Sequence, residues 1–150
     1  MIYSNFHWYK QETSMTIRTY NLFISHSWRY GSQYCKLCDL LDSANYFCYK
    51  NYSVPQDDPI DDADNDRQLK EAIRKQISAA SVVLILAGVY STYSKWINIE
   101  IEIAQELKKP IIAIQPWGAE KTSQKVKNAA TQIVGWNTSS LVSAIRDLAL

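Results

Sequence analysis

The chain has 150 residues, 47 % of them apolar and 21 % charged, with a formal net charge of +1, which suits one globular domain with a sizeable core. So even a balance of charge gives no reason to expect nucleic acid or an anionic membrane as partner. No apolar run approaches the ~18 residues of a membrane span, and the first ten residues lack the basic start and apolar centre of a secretory signal, so a cytoplasmic protein is expected.

Taken in order, residues 1–16 read as an N-terminal extension ahead of a domain over 17–150, and Met15 leaves open that residues 1–14 lie upstream of the start. A first β-like run covers 19–25 and a helical pattern 32–44. Cys35 and Cys38 form a C-x-x-C inside that helix rather than at its N-terminus, where a redox pair gains its low pKa, so packing is expected of them. Three cysteines, an odd number, fit a reducing compartment better than a disulfide framework. Cys48, His7 and His26 stand at no metal-binding spacing from that pair, so no metal site is expected.

A second strand is expected over 46–52. It leads into an acidic stretch, residues 55–66, with six aspartates. That stretch lacks the Gly and terminal Glu of an EF-hand loop and reads as a solvated loop whose last aspartates cap the next helix. The following helix is expected over 66–80, from Leu69, Ile73, Ile77 and Ala80, and a third strand over 81–88. Then come a helix over 94–108, a strand over 110–115, a helix over 122–130, a short strand over 132–136 and a helix over 138–149. Five strands alternating with five helices predict an α/β protein of flavodoxin-like form, a three-layer sandwich whose parallel sheet runs in the order 2-1-3-4-5.

One glutamate breaks the pattern. Projected at about 100° per residue, Trp96, Ile99, Ile103, Ala104 and Leu107 share one face and Asn98, Glu102, Gln105 and Glu106 the other, with Glu100 in the middle of the apolar face. A carboxylate there costs stability unless it reaches a partner or a cavity. The bland alternative is that Glu100 gains from the helix dipole and turns its head to solvent past Trp96. Ser94 is the expected N-cap of this helix.

In an open doubly wound sheet of this order, ligands bind outside the carboxyl ends of the first and third strands. That selects Ser25, His26, Ser27, Trp28, Arg29 and Tyr30 after the first strand and Gly88 through Tyr93 after the third, the latter leading into the Glu100 helix. The acidic stretch, which follows Asn51 to Val54 at the end of the second strand, borders the same crevice and could close over a ligand. The aromatic residues there suit a flat heterocycle, although Trp28, Tyr90, Tyr93 and Trp96 are equally compatible with loop packing, and His26 is expected to be a loop residue without acid–base duty. A phospho-acceptor site is excluded, since Ala87-Gly88 and Ser25-His26 occupy the places of its aspartates. No phosphate-cradling glycine motif and no nucleophile elbow occurs.

The run Phe23-Ile24-Ser25-His26-Ser27, with Ser94-Lys95-Trp96 followed by Glu100, resembles the TIR domain, whose hallmark is S-x-W-x-x-x-E in the helix after the third strand. Asn51 to Pro55, Tyr90 to Ile97 and Gln115 to Gly118 resemble the bacterial TIR-like group that includes the ThsB proteins of Thoeris anti-phage defence. The likeness covers about residues 17–150, and Ile97 stands where many TIR domains have Cys. It implies an NAD-consuming enzyme that releases nicotinamide and makes an ADP-ribose-derived signal nucleotide, expected to be cyclic, which activates a separate effector protein. It implies NAD as substrate with no cofactor or metal, and self-association of the chain. By position Glu100 matches the catalytic glutamate, and Ser25 and His26 match a wall of the nucleotide pocket. Ser27, Trp28, Asn51, Tyr90, Ser91 and Trp96 are expected to complete the substrate-binding set.

Two rivals make different expectations. A non-catalytic TIR-type interaction module would tolerate Glu100→Gln and expose apolar patches. A Mg²⁺-dependent nuclease would depend on Asp57 or Asp58 and ignore Glu100.

Overall fold

The computed structural model describes residues 16–25, 31–54, 63–88, 95–116 and 123–150, with Gly31 and residues 63–65 described by their backbone alone. Its elements follow the alternation β1 (Thr19–Ser25), α1 (Gly31–Asp42), β2 (Cys48–Asn51), α2 (Ala63–Ala79), β3 (Val82–Leu86), α3 (Lys95–Glu106), β4 (Ile111–Ile114), α4 (Gln124–Ala129), β5 (Gln132–Val134) and α5 (Thr138–Leu148). The five strands form one sheet in the order β2-β1-β3-β4-β5, and every pairing is parallel. The expected flavodoxin-like topology is therefore the observed one. The division at residue 16 falls at the edge of the described residues, which begin at Thr16.

The central strands are buried on both faces because helices cover both. Val82 to Leu86 are buried throughout, as are Ile111 to Ile114, and such runs of branched apolar residues are what a two-sided parallel sheet requires. Side chains alternate between the faces. Leu22, Ile24, Leu84 and Ile112 join one core with Leu37 and Leu41 of α1 and Leu141 and Ile145 of α5. Phe23, Val83, Ile85 and Ala113 join the other with Leu69, Ile73 and Ile77 of α2, Ile97 and Ile101 of α3 and Val126 of α4. Ser25 is in phase with Phe23, so it comes to the side of the sheet that carries α2 and α3.

Strand and helix ends move by a few residues from their expected positions; α2 begins at Ala63, so Asp64 and Asp66 lie within its first turn rather than capping it, and two of the other shifts have a local cause. Tyr46 has φ 55, a left-handed turn conformation that shortens β2 to Cys48–Asn51. Lys108 has φ 53 and ends α3: Lys108 N–H donates to Gln105 O at 3.0 Å and Lys109 N–H to Ala104 O at 2.8 Å, the paired bonds of a Schellman cap. Asn137 caps α5 by accepting from Ser140 N–H at 2.8 Å. Of the C-x-x-C pair, Cys38 is half-buried against the α1/α5 core, whereas Cys35 is exposed; packing explains the first but not the second.

Candidate functional site

The buried face of α3 is Ile97, Glu100, Ile101, Ile103 and Ala104, a wider arc than the expected stripe and turned toward Ile97 and Ile101. The cause is double coverage: α3 packs on the sheet and against α2 together, with Trp96, Ile99 and Leu107 half-buried at the margin of the same core. Glu100 is central to the arc on either projection. It is 7 % exposed, so the alternative in which its head turns to solvent is ruled out.

What meets it is the last residue of β1. Ser25 is 1 % exposed, and its hydroxyl donates to Glu100 Oε2. The pairing follows from strand phase, which turns Ser25 to the α3 side, and from register, which sets it beside Ile85 of β3. The pair sits where the carboxyl ends of β1 and β3 adjoin, the switch point of this strand order. Burial removes water from the carboxylate and pushes the Glu100 pKa up from 4.5 to about 8, against the smaller lowering effect of the Ser25 hydrogen bond. Among the described residues the buried polar side chains are Ser25, Glu100 and Ser123. Ser123 is accounted for as the N-cap of α4, which leaves Ser25 and Glu100 as the pair that secondary structure does not explain.

Asn51 ends β2 and is exposed. Its Nδ2 donates to the Tyr34 hydroxyl at 2.5 Å, and its Oδ1 accepts from Ser53 N–H at 2.9 Å and from Ser53 Oγ at 2.5 Å, an Asx turn. Both polar ends of Asn51 are thus engaged within the chain. Ser53, not singled out in the sequence, has one hydroxyl hydrogen for two acceptors in reach, Asn51 Oδ1 and Ile24 O at 2.8 Å, and in sharing it ties the end of β2 to the backbone just before Ser25. The Asn-x-Ser spacing was the signal for it.

Trp96 is half-buried at the start of α3. The Lys95 ammonium lies 5.2 Å from its ring centroid and pairs with Asp66 of α2, joining the N-terminal turns of the two helices. Asp66 is the last residue of the acidic stretch; Asp57, Asp58 and the others through Asp62 lie outside the described residues, as do His26, Ser27, Trp28, Tyr90, Ser91, Tyr93 and Ser94. Of the expected site residues, therefore, the structure brings together Ser25 and Glu100, sets Trp96 one turn from Glu100 on the same helix, and puts Asn51 at the neighbouring strand end. Among the described residues no group of three or more His, Cys, Asp or Glu side chains could hold a metal, and no helix is long and apolar enough to cross a membrane.

Comparison with known proteins gives one family match. The sequence fits the family described as "Thoeris protein ThsB, TIR-like domain" over residues 23–121, a span that contains both Ser25 and Glu100. No curated protein matches the chain. Among solved structures, a conserved protein from Enterococcus faecalis V583 superposes with a TM-score of 0.59 at 10 % identity, covering 87 % of this chain and 99 % of that one. The Clostridium botulinum CMP N-glycosidase BcmB gives 0.51 at 12 % identity, covering 84 % and 98 %. A prokaryotic SEFIR domain gives 0.48 at 16 % identity, covering 86 % and 98 %.

Proposed function

Because the chain belongs to the TIR-like domain family of the Thoeris protein ThsB, we propose that it is an NAD-consuming enzyme that cleaves the bond between nicotinamide and ribose. The observation that carries this reading is a carboxyl group buried at the switch point, with a single buried hydroxyl for a partner among the described residues. A fold has no use for such a group in its core, since an apolar residue of similar size would pack there at lower cost. The same fold hosts N-glycosidic bond cleavage in the Clostridium botulinum CMP N-glycosidase, so the architecture is compatible with this chemistry, although fold alone assigns no reaction.

As the bond from C1′ to the pyridinium nitrogen breaks, its electron pair leaves with nicotinamide, which departs neutral and needs no strong general acid. Positive charge develops on the sugar ring, as in glycoside hydrolysis. Glu100 stabilises that charge electrostatically in a site dried by its apolar neighbours. With its pKa near 8, Glu100 is mostly neutral in the resting protein at pH 7, and the cationic pyridinium of bound NAD favours its ionisation. His26, Ser27, Trp28, Asn51, Tyr90, Ser91 and Trp96 are proposed to line the nucleotide pocket, with Ser25 held against Glu100 at its edge. The product is proposed to be a cyclic ADP-ribose-derived signal that activates a separate effector, made by a self-associating chain in the cytoplasm with no cofactor or metal.

The test is mass spectrometry of small molecules from phage-challenged cells expressing the chain, wild type beside Glu100→Gln. Nicotinamide and an ADP-ribose derivative are expected with wild type alone. If neither appears and both proteins protect cells equally, Glu100 is structural and the interaction-module reading replaces this one.

A further inference from the structure

The sequence leads one to expect Ser25 in contact with the nucleotide, but its geometry is that of a residue turned inward. At 1 % exposure its hydroxyl hydrogen goes to Glu100 Oε2, and a hydroxyl has only one hydrogen to give. Oε1 takes no hydrogen bond from the described residues. We propose that Ser25 is a positioning residue for Glu100: it holds one carboxyl oxygen from the end of β1 and leaves the other for the developing charge on the sugar. This deepens the reading given under the proposed function and rests on it.

The constraint comes from two sides. β1 cannot slide, because Leu22 to Ser25 pair with Val82 to Ile85, and the Ser53 hydroxyl holds Ile24 O at 2.8 Å, one residue before Ser25. α3 cannot turn, because Ile97, Ile101 and Ala104 are buried on either side of Glu100. The groups around the pair on β1, β3 and α2 that share its core are apolar, among them Phe23, Ile85, Leu69 and Ile73. The charged groups of α2 and α3 lie toward solvent: Lys95 pairs with Asp66 and Arg74 with Glu106 in exposed bridges, and Arg67, Lys70, Glu71, Lys75 and Glu102 are exposed. Among the described residues, then, the Ser25 hydroxyl is the side chain whose hydrogen bond favours the ionised form of Glu100.

The experiment follows the Glu100 carboxyl carbon by NMR across a pH titration of the purified full chain, in wild type, Ser25→Ala and Ser25→Thr, and measures nicotinamide release by the same proteins beside it. Ser25→Ala is expected to raise the Glu100 midpoint by about one unit or more, and Ser25→Thr, which keeps the hydroxyl, to restore it. Nicotinamide release by Ser25→Ala is expected to fall tenfold or more in kcat with KM little changed, and its pH profile to move to higher pH by the same interval as the midpoint. An unmoved midpoint overturns the proposal, whether or not the protein cleaves NAD. So does a raised KM at unchanged kcat, because that marks a side chain that touches substrate. A moved midpoint with no nicotinamide released, either by the purified proteins or in phage-challenged cells expressing wild type, upholds the Ser25–Glu100 coupling and overturns the NAD reading instead.

Discussion

Two glutamates six residues apart on α3 live in opposite worlds. Glu106, at the C-terminal end, is exposed and pairs with Arg74 of α2; hydrogen bonding to that guanidinium, then its charge, hold the Glu106 carboxyl below its usual range. Glu100, in the N-terminal half, is buried, and the loss of water lifts its pKa to about 8. One helix thus carries a carboxylate that costs the fold little and a carboxyl that works against it. The difference teaches where to look for function: a group that the fold would be more stable without is the first to test for a role in chemistry.

The largest effect that could break this contrast is on turnover. Glu100→Gln keeps shape and hydrogen bonding but cannot ionise, and is expected to lower nicotinamide release by about 10²-fold or more. Glu106→Gln, on the same helix, is expected to leave it unchanged. If the ionised form of Glu100 is the working one, kcat/KM of wild type rises about tenfold per pH unit up to about 8 and then levels. Assays of both variants and of wild type across pH 5.5–9 check this. Equal losses from the two substitutions would remove the functional distinction between the two ends of α3.

The second effect is on stability and has the opposite sign. A carboxyl whose folded pKa is raised favours the native state fully below its unfolded value of 4.5, and that advantage is lost as pH rises toward about 8. Glu100→Gln escapes this loss. It is expected to be more stable than wild type at pH 7 by roughly 3 kcal/mol, on the order of 10 °C in Tm, with the gap closing toward pH 4.5. Thermal melts of both proteins from pH 4.5 to 9 measure it. A gap that does not vary with pH would mean that Glu100 is not held neutral by burial.

A smaller effect tests the clasp beside the site. Ser53→Ala removes the hydroxyl that bonds Ile24 O and Asn51 Oδ1, and is expected to cost about 1 kcal/mol in chemical denaturation.

How much of this could be read in advance depends on the range of the signal. Strand order and helix positions were legible because a parallel sheet covered on both faces needs apolar runs separated by helical periods, and residues 82–86 and 111–114 supply them. Glu100 was legible because one charged residue on an apolar arc is a local contradiction. Its partner was not. Ser25 faces α3 only because β1 is in phase with Phe23 and in register with Ile85, and pairing register is a property of two segments that no single one displays. The tilt of the buried arc toward Ile97 and Ile101 escaped for the same reason, since it is set by α2 as well as by the sheet. His26, Ser27, Trp28, Tyr90 and Ser91 fall outside the described residues, so the expectation for them stands on sequence and resemblance.

The smallest effect belongs to Glu106. Its carboxyl lies below its usual range because Arg74 donates to it, and a depressed carboxyl lends stability above its unfolded pKa that is lost as pH falls through its folded one. Water and salt screen that pair, since the Arg74 and Glu106 side chains are 43 % and 56 % exposed, and the entropy of holding two long side chains offsets most of the attraction. Glu106→Gln is therefore expected to leave Tm at pH 7 indistinguishable from wild type, and raised salt to move both proteins alike. A clear loss of Tm would mean that the Arg74 bridge clamps α2 to α3, and the contrast between the two glutamates would then be between two structural roles rather than between cost and benefit.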